Sequence, residues 1–172
     1  MPTSLRSRVP LFALAVALMA ALGFPGTAAT GNGDPPTTYV LPSERWPAPP
    51  PPTRAERAVS FAVEVVGIPY RWGGESPSTG FDCSGLVRWA YGRVGIELPH
   101  SSYALYGEGR RVQDAGMQPG DILFFEGLGH VGLYVGRGRM VHAPQSGRNV
   151  EVVRLASTNY GARLIGARRV VA

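Results

Sequence analysis

The chain has a single cysteine, Cys83, among its 172 residues. One thiol excludes an internal disulfide and leaves either a buried inert sulfur or a reactive one. Long apolar runs are also missing. The apolar run from Leu11 to Leu22, which carries no charge, falls short of the roughly 20 apolar residues that a membrane-spanning helix needs. No cysteine stands at the end of that run, so a lipid anchor on cysteine is not expected, and no internal repeat is visible. No basic stripe is interleaved with aromatic residues, which argues against a nucleic-acid partner. The formal charge is nonetheless +5. That balance suits an anionic membrane or wall polymer, and equally suits simple solubility.

What is there divides the chain in three. Residues 1–29 read as a signal peptide: Arg6 and Arg8 come first, the apolar run follows, and Gly26, Thr27, Ala28 and Ala29 offer a cleavage site. Residues 30–53 form a Pro-rich linker with no pattern that could bury a core. Residues 54–172 are long enough for one catalytic domain. Export is expected, with no stable membrane insertion once the signal is removed; a retained anchor is the alternative.

Within 54–172, Ala55, Ala58, Val59, Ala62, Val65 and Val66 recur at helical spacing behind a Thr53 cap. A glycine-punctuated loop spans Tyr70 to Asp82. A second helix is predicted from Cys83 to Val94, and a short third one after Pro99, capped by Ser101 or Ser102. Strands are predicted at 122–125, 130–135, 140–143, 150–153 and 164–170. Helices first and strands after predict an α+β domain, with the helices packed on one face of an antiparallel sheet of five to six strands.

Cys83 sits where a loop becomes a helix. The positive end of the helix dipole favours a thiolate there, and the free N–H groups of the first turn can hold an oxyanion. A thiol nucleophile needs a base, and there are three histidines. His100 reads as a surface residue. His130 and His142 flank a turn at 136–138. A three-residue loop, or an equivalent bulge, places His142 opposite Gly132 and His130 two positions along on the same face. A two-residue loop alone puts the histidines on opposite faces. On one face, His130 contacts the thiol and His142 orients His130. A zinc site on one cysteine and two histidines is the rival, but the spacing is not that of a closed zinc motif. No metal and no cofactor are expected.

Six ordered blocks carry a family resemblance: Tyr70-Arg71-Trp72-Gly73-Gly74; Phe81-Asp82-Cys83-Ser84-Gly85-Leu86-Val87; Leu98-Pro99 with its serines; Gln118-Pro119-Gly120-Asp121; His130 to Gly136; and Met140-Val141-His142-Ala143-Pro144. Over Arg54 to Val170 the chain resembles the NlpC/p60 cell-wall cysteine peptidases. The resemblance implies a papain-like fold with Cys83 as nucleophile, His130 as base and His142 as third member. It implies Tyr70 as an oxyanion donor, where packing of the loop is the plainer role. It implies Asp82, Ser84 and Trp72 as the substrate-binding set. Trp72 reads first as a core residue, and Asp82 either pairs with a substrate ammonium or caps the helix. Gly73, Gly74 and Gly85 read as backbone fit.

The implied substrate is the peptidoglycan stem peptide, cut between the γ-carboxyl of D-glutamate and the next diamino acid. Many relatives carry a separate wall-binding module, and none is expected from these residues. Targeting then rests on charge, on an activating protein partner, or on the substrate alone. Arg163, Arg168 and Arg169 either contact anionic wall polymers or form a solvated face. A non-cleaving stem-peptide binder, and an amidase or acyl transferase on the same scaffold, remain open.

Overall fold

The computed structural model describes residues 48–171. The signal segment and most of the linker lie outside the described residues, while 48–53 are exposed and carry no secondary structure. No helix among the described residues is long and apolar enough to cross a membrane.

Helix α1 (Arg54–Glu64) starts at a reciprocal cap. The Thr53 hydroxyl accepts from Glu56 N–H, and the Glu56 carboxylate accepts from Thr53 N–H. Its face of Ala55, Ala58, Val59 and Ala62 is buried. A two-stranded hairpin follows, β1 (Glu75–Ser76) and β2 (Gly80–Phe81). It leads directly into α2 (Cys83–Gly92) and then α3 (Ser102–Leu105), which Ser101 caps. The second half supplies β3 (Arg110–Val112), β4 (Ile122–Phe125), β5 (Val131–Gly136), β6 (Arg139–His142), β7 (Glu151–Arg154), α4 (Tyr160–Arg163) and β8 (Leu164–Arg169).

The six longer strands form one antiparallel sheet in the order β3-β8-β4-β5-β6-β7. The α+β class matches the sequence expectation, and α1 and α2 share one face of the sheet as expected, while the short α4 lies against the other. The sixth strand, β3, went unseen because Arg110 and Arg111 are exposed and only Val112 is buried. On one face, Ile122, Phe124, Leu133 and Val141 pack with Ala58, Ala62, Leu86, Val87 and Ala90 of the helices. On the other, Leu123, Phe125, Met140 and Ala167 pack with Leu155 and Tyr160. β4 is buried on both faces, which is why it reads as an unbroken apolar run.

The arginine tail does not form one solvated face. Arg169 reaches the buried Asp121 carboxylate at 2.6 and 2.7 Å and the Gly116 carbonyl at 2.8 Å. Arg168 lies over the Tyr106 ring, 4.7 Å from its centroid, and Arg163 pairs with Glu126 at 3.5 Å.

Candidate active site

Cys83 is the first residue of α2, with Asp82 as its N-cap. The loop before it is held by close backbone approaches. A Cβ at Gly85 would lie 2.1 Å from the Gly74 carbonyl oxygen, and one at Gly74 would lie 2.4 Å from that of Gly80. Backbone fit therefore accounts for both glycines.

Asp82 is 8% exposed and its carboxylate gathers four donors. Gly85 N–H donates at 2.7 Å and the Ser84 hydroxyl at 3.2 Å, both to Oδ1. Gly73 N–H donates to Oδ2 at 2.9 Å. His100 Nε2 lies 2.9 and 3.0 Å from the two oxygens. Asp82 thus caps the helix and also ties the Gly73 loop and the α3 entrance to it. His100 is not a free surface residue. Its Nδ1 lies 3.3 Å from Glu75, so the ring bridges two carboxylates. A bend at His100 between Pro99 and Ser101 brings the ring to the head of α2, a placement no local pattern announces.

The sheet supplies the histidines. Leu133 faces Val141 and Tyr134 faces Met140, while Gly136 faces Arg139. The tip is thus a two-residue turn, Arg137-Gly138, with positive φ at both positions (53° and 68°). Val135 is an extra residue on β5 that restores the register expected for a bulge. His130 and His142 consequently share a face, and His130 Nε2 lies 2.8 Å from His142 Nδ1. The two imidazoles each spend a nitrogen on the other. Among the described residues, no cluster of three or more metal-ligating side chains is placed to hold a metal ion.

His142 is fully buried. Tyr160, at the start of α4, stacks on His130 with centroids 5.2 Å apart and meets His142 edge-on at 4.9 Å. This tyrosine escaped the sequence reading, because nothing near it signals chemistry and only the return of the chain into β8 brings it to the pair.

A cavity of about 410 Å³ collects the site. Tyr70, Trp72, Asp82, Cys83, Ser84, His100, Tyr103 and His130 all line it; His142 stands behind His130. Trp72 is 89% exposed, so the core reading of it fails. The Gly74 N–H closes a turn onto the Arg71 carbonyl, with Gly73 at φ 70°. That turn lifts Trp72 out of the core and onto the cavity rim. Tyr70 is pinned by backbone bonds: its N–H donates to Arg148 O, and the flanking Arg71 N–H donates to Phe81 O.

Burial pushes the Cys83 thiol up. The N–H groups of Val131, Ser84 and Cys83 itself pull it down, and the nearby Asp82 adds to the rise. Burial outweighs the helix terminus here, contrary to the expectation of a lowered thiol pKa. His130 is pushed down to about 3, by burial first and then by His142 and Arg163. His142 falls to about 4 through burial and Arg148. Burial and the neighbouring Cys83 and Asp82 raise Tyr70, so it stays a phenol and a donor. Both shifts favour the neutral forms of the thiol and the imidazole, which line one cavity. With His130 Nε2 engaged, Nδ1 is its nitrogen free for proton transfer.

A family model described as the NlpC/P60 family matches residues 67–169. The chain belongs to that family. Curated relatives include a probable endopeptidase of Mycobacterium tuberculosis, 49% identical over 108 residues, covering 61% of this chain and 28% of that protein. The murein DD-endopeptidase MepH of Escherichia coli is 37% identical over 122 residues, covering 66% and 45%. The gamma-DL-glutamyl hydrolase of Bacillus subtilis is 39% identical over 128 residues, covering 70% and 31%. The chain thus spans less than half the length of each of these relatives. A crystal structure of an NlpC/P60 family protein from Bacillus cereus superposes with a TM-score of 0.65 at 35% identity, covering 72% of this chain and 42% of that one.

Proposed function

We propose that this protein is an exported cysteine endopeptidase that cuts peptidoglycan stem peptides between the γ-carboxyl of D-glutamate and the next diamino acid. The observation that carries the reading is the thiol at the head of α2, opening into the same cavity as an imidazole whose far nitrogen is bound to a second histidine. The names of the relatives support it, since they are endopeptidases and a gamma-DL-glutamyl hydrolase. The DD-endopeptidase among them supplies the competing bond. Export is motivated by the N-terminal arginines and apolar run.

In this mechanism Cys83 Sγ attacks the scissile carbonyl carbon while its proton passes to His130 Nδ1. The oxyanion faces N–H groups at the head of α2, with the Tyr70 phenol as a further donor. The C–N bond breaks, the amine leaves with the proton from His130, and a thioester remains. Water gives a proton to His130 and attacks the thioester. The acid product departs, and the thiol is re-formed. His142 holds His130 in place throughout.

The test is mass spectrometry of stem peptides and whole peptidoglycan incubated with the protein and with Cys83→Ala. Fragments ending in D-glutamate, seen only with Cys83 intact, are expected. Cleavage at a DD bond instead overturns the assigned bond and keeps the enzyme class. Binding without cleavage by either protein overturns the peptidase in favour of a binder.

A further inference from the structure

We propose that Glu151 is a positioning residue that acts through His142 to decide which nitrogen of His130 faces the thiol. The inference rests on the reading of Cys83 and His130 as nucleophile and base. It starts from a line of groups that runs away from the cavity. His130 Nε2 meets His142 Nδ1 at 2.8 Å. On the far side of that second ring, His142 Nε2 lies 3.4 Å from Glu151 Oε1. Arg148 grips Glu151 in turn, its Nη2 donating to both carboxylate oxygens at 2.8 and 2.7 Å. His142 and Glu151 are direct cross-strand partners in the β6–β7 ladder, so their approach is set by sheet register.

Counting protons shows what the carboxylate does. A neutral imidazole carries one N–H. For His130 to accept the thiol proton at Nδ1, its own proton must sit on Nε2. That Nε2–H donates to His142 Nδ1, which is then an acceptor. His142 must therefore carry its proton on Nε2. This nitrogen is buried and has no hydrogen-bond partner among the described residues. A buried N–H demands an acceptor, and Glu151 is the one the ladder offers. A shift of about half an ångström brings the pair well within hydrogen-bond range.

The opposite arrangement is penalised. There His142 Nδ1–H donates to His130 Nε2, His130 carries its proton on Nδ1, and that nitrogen cannot take the thiol proton. It also turns the bare lone pair of His142 Nε2 toward a carboxylate. Glu151 thus selects the tautomer pair in which His130 is a base. A carboxylate does the same work directly behind the histidine of serine-protease triads, and here it acts one ring further out. The sequence reading stopped at His142, because the need for a fourth group appears only once the proton on each ring is counted.

The test uses the full chain labelled with 15N-histidine, and with three histidines the ring signals are few. The variants are Glu151→Gln, which can present an N–H to His142, and Glu151→Asp, which keeps the carboxylate. In the wild type, His142 should be the Nε2–H tautomer. In Glu151→Gln it should shift toward Nδ1–H, and alkylation of Cys83 by iodoacetamide at neutral pH should slow. The kcat on stem peptide should fall roughly 10- to 100-fold, the range typical of carboxylates behind functional histidines, with KM changed less than about two-fold. Glu151→Asp should recover part of both rates. An Nδ1–H tautomer for His142 in the wild type overturns the inference. So does a Glu151→Gln protein with wild-type tautomers and kcat. Absence of Cys83-dependent cleavage by the wild type sinks the peptidase reading separately, and the NMR tautomers still decide the role of Glu151.

Discussion

Replacing Asp82 by alanine removes one carboxylate and strands four donors, and its cost can be worked out group by group. Loss of the N-cap costs about 1 kcal/mol. The cap bond is the one from Gly85 N–H; the buried Ser84 hydroxyl is a separate donor, and leaving it without an acceptor adds about 1–3 kcal/mol. Gly73 is exposed and His100 is half-buried, so water can replace much of what they lose. The sum for Asp82→Ala is about 3 kcal/mol. At about 4 °C per kcal/mol for a domain of this size, Tm should fall by about 12 °C. Asp82→Asn keeps the cap, but its amide must turn an N–H toward another donor, so about half that loss is expected.

Urea unfolding gives both values. A double-mutant cycle with His100→Ala isolates the Asp82–His100 contact, for which a coupling of about 0.5–3 kcal/mol is expected. A loss under about 1 kcal/mol for Asp82→Ala would mean that the cap alone matters, and zero coupling would mean that the imidazole does not hold the carboxylate in solution. Either result refutes the view of Asp82 as the junction between the Gly73 loop, α2 and α3.

The two sheet histidines make stability depend on pH. Their folded values of about 3 and about 4 lie below the ordinary 6.5, so the unfolded chain binds more protons between these limits. Their contribution is full above about pH 6.5 and is lost as pH falls through about 4 toward 3. The urea midpoint should drop over that window, less steeply in His142→Gln; a flat midpoint in the wild type would count against burial of a neutral pair. Trp72→Ala should change stability by less than about 0.5 kcal/mol, because the side chain is on the rim. The same variant should raise KM and leave kcat alone, as kinetics on a stem peptide would check; a fall in kcat with unchanged KM would place Trp72 in the chemistry.

The sequence was legible where the physics is local. Thr53 and Glu56 spell a capping box, the apolar spacing of α1 shows its buried face, and Ile122–Phe125 is an unbroken strand. Even the shared face of His130 and His142 could be worked out, because strand alternation turns register into a parity argument. The structure met it with a two-residue turn plus a bulge at Val135, not with a longer loop. What stayed hidden depends on chain reversals. His100 reaches Asp82 across 18 positions, and Tyr160 reaches the histidines from the far end of the domain. Trp72 misled for a different reason: a large aromatic suggests a core, and only the positive φ of Gly73 reveals a turn that puts it outside. The thiol pKa was misread because a helix terminus can be seen in a sequence, whereas burial at that terminus cannot.

These hidden contacts divide the site between the two halves of the chain. The helical half carries the thiol, with Asp82, His100 and the Gly73 loop bracing the head of α2. The sheet half carries the imidazole, with His142, Tyr160, Glu151 and Arg148 arrayed behind it. On the proposed reading the nucleophile and the base lie in different halves, so the reaction requires the packing of α2 on β5. That interface is built from Leu86 and Val87 against Val131 and Leu133, all fully buried. Truncating either leucine to alanine costs about 2–5 kcal/mol through the cavity it leaves, and relaxation around that cavity is expected to shift α2 against β5. A misplacement on the order of 1 Å can cost about 10²-fold in rate without touching any reacting group. Core variants such as Leu133→Ala should therefore lose kcat even at temperatures where they remain folded, which would separate damage to alignment from damage to stability.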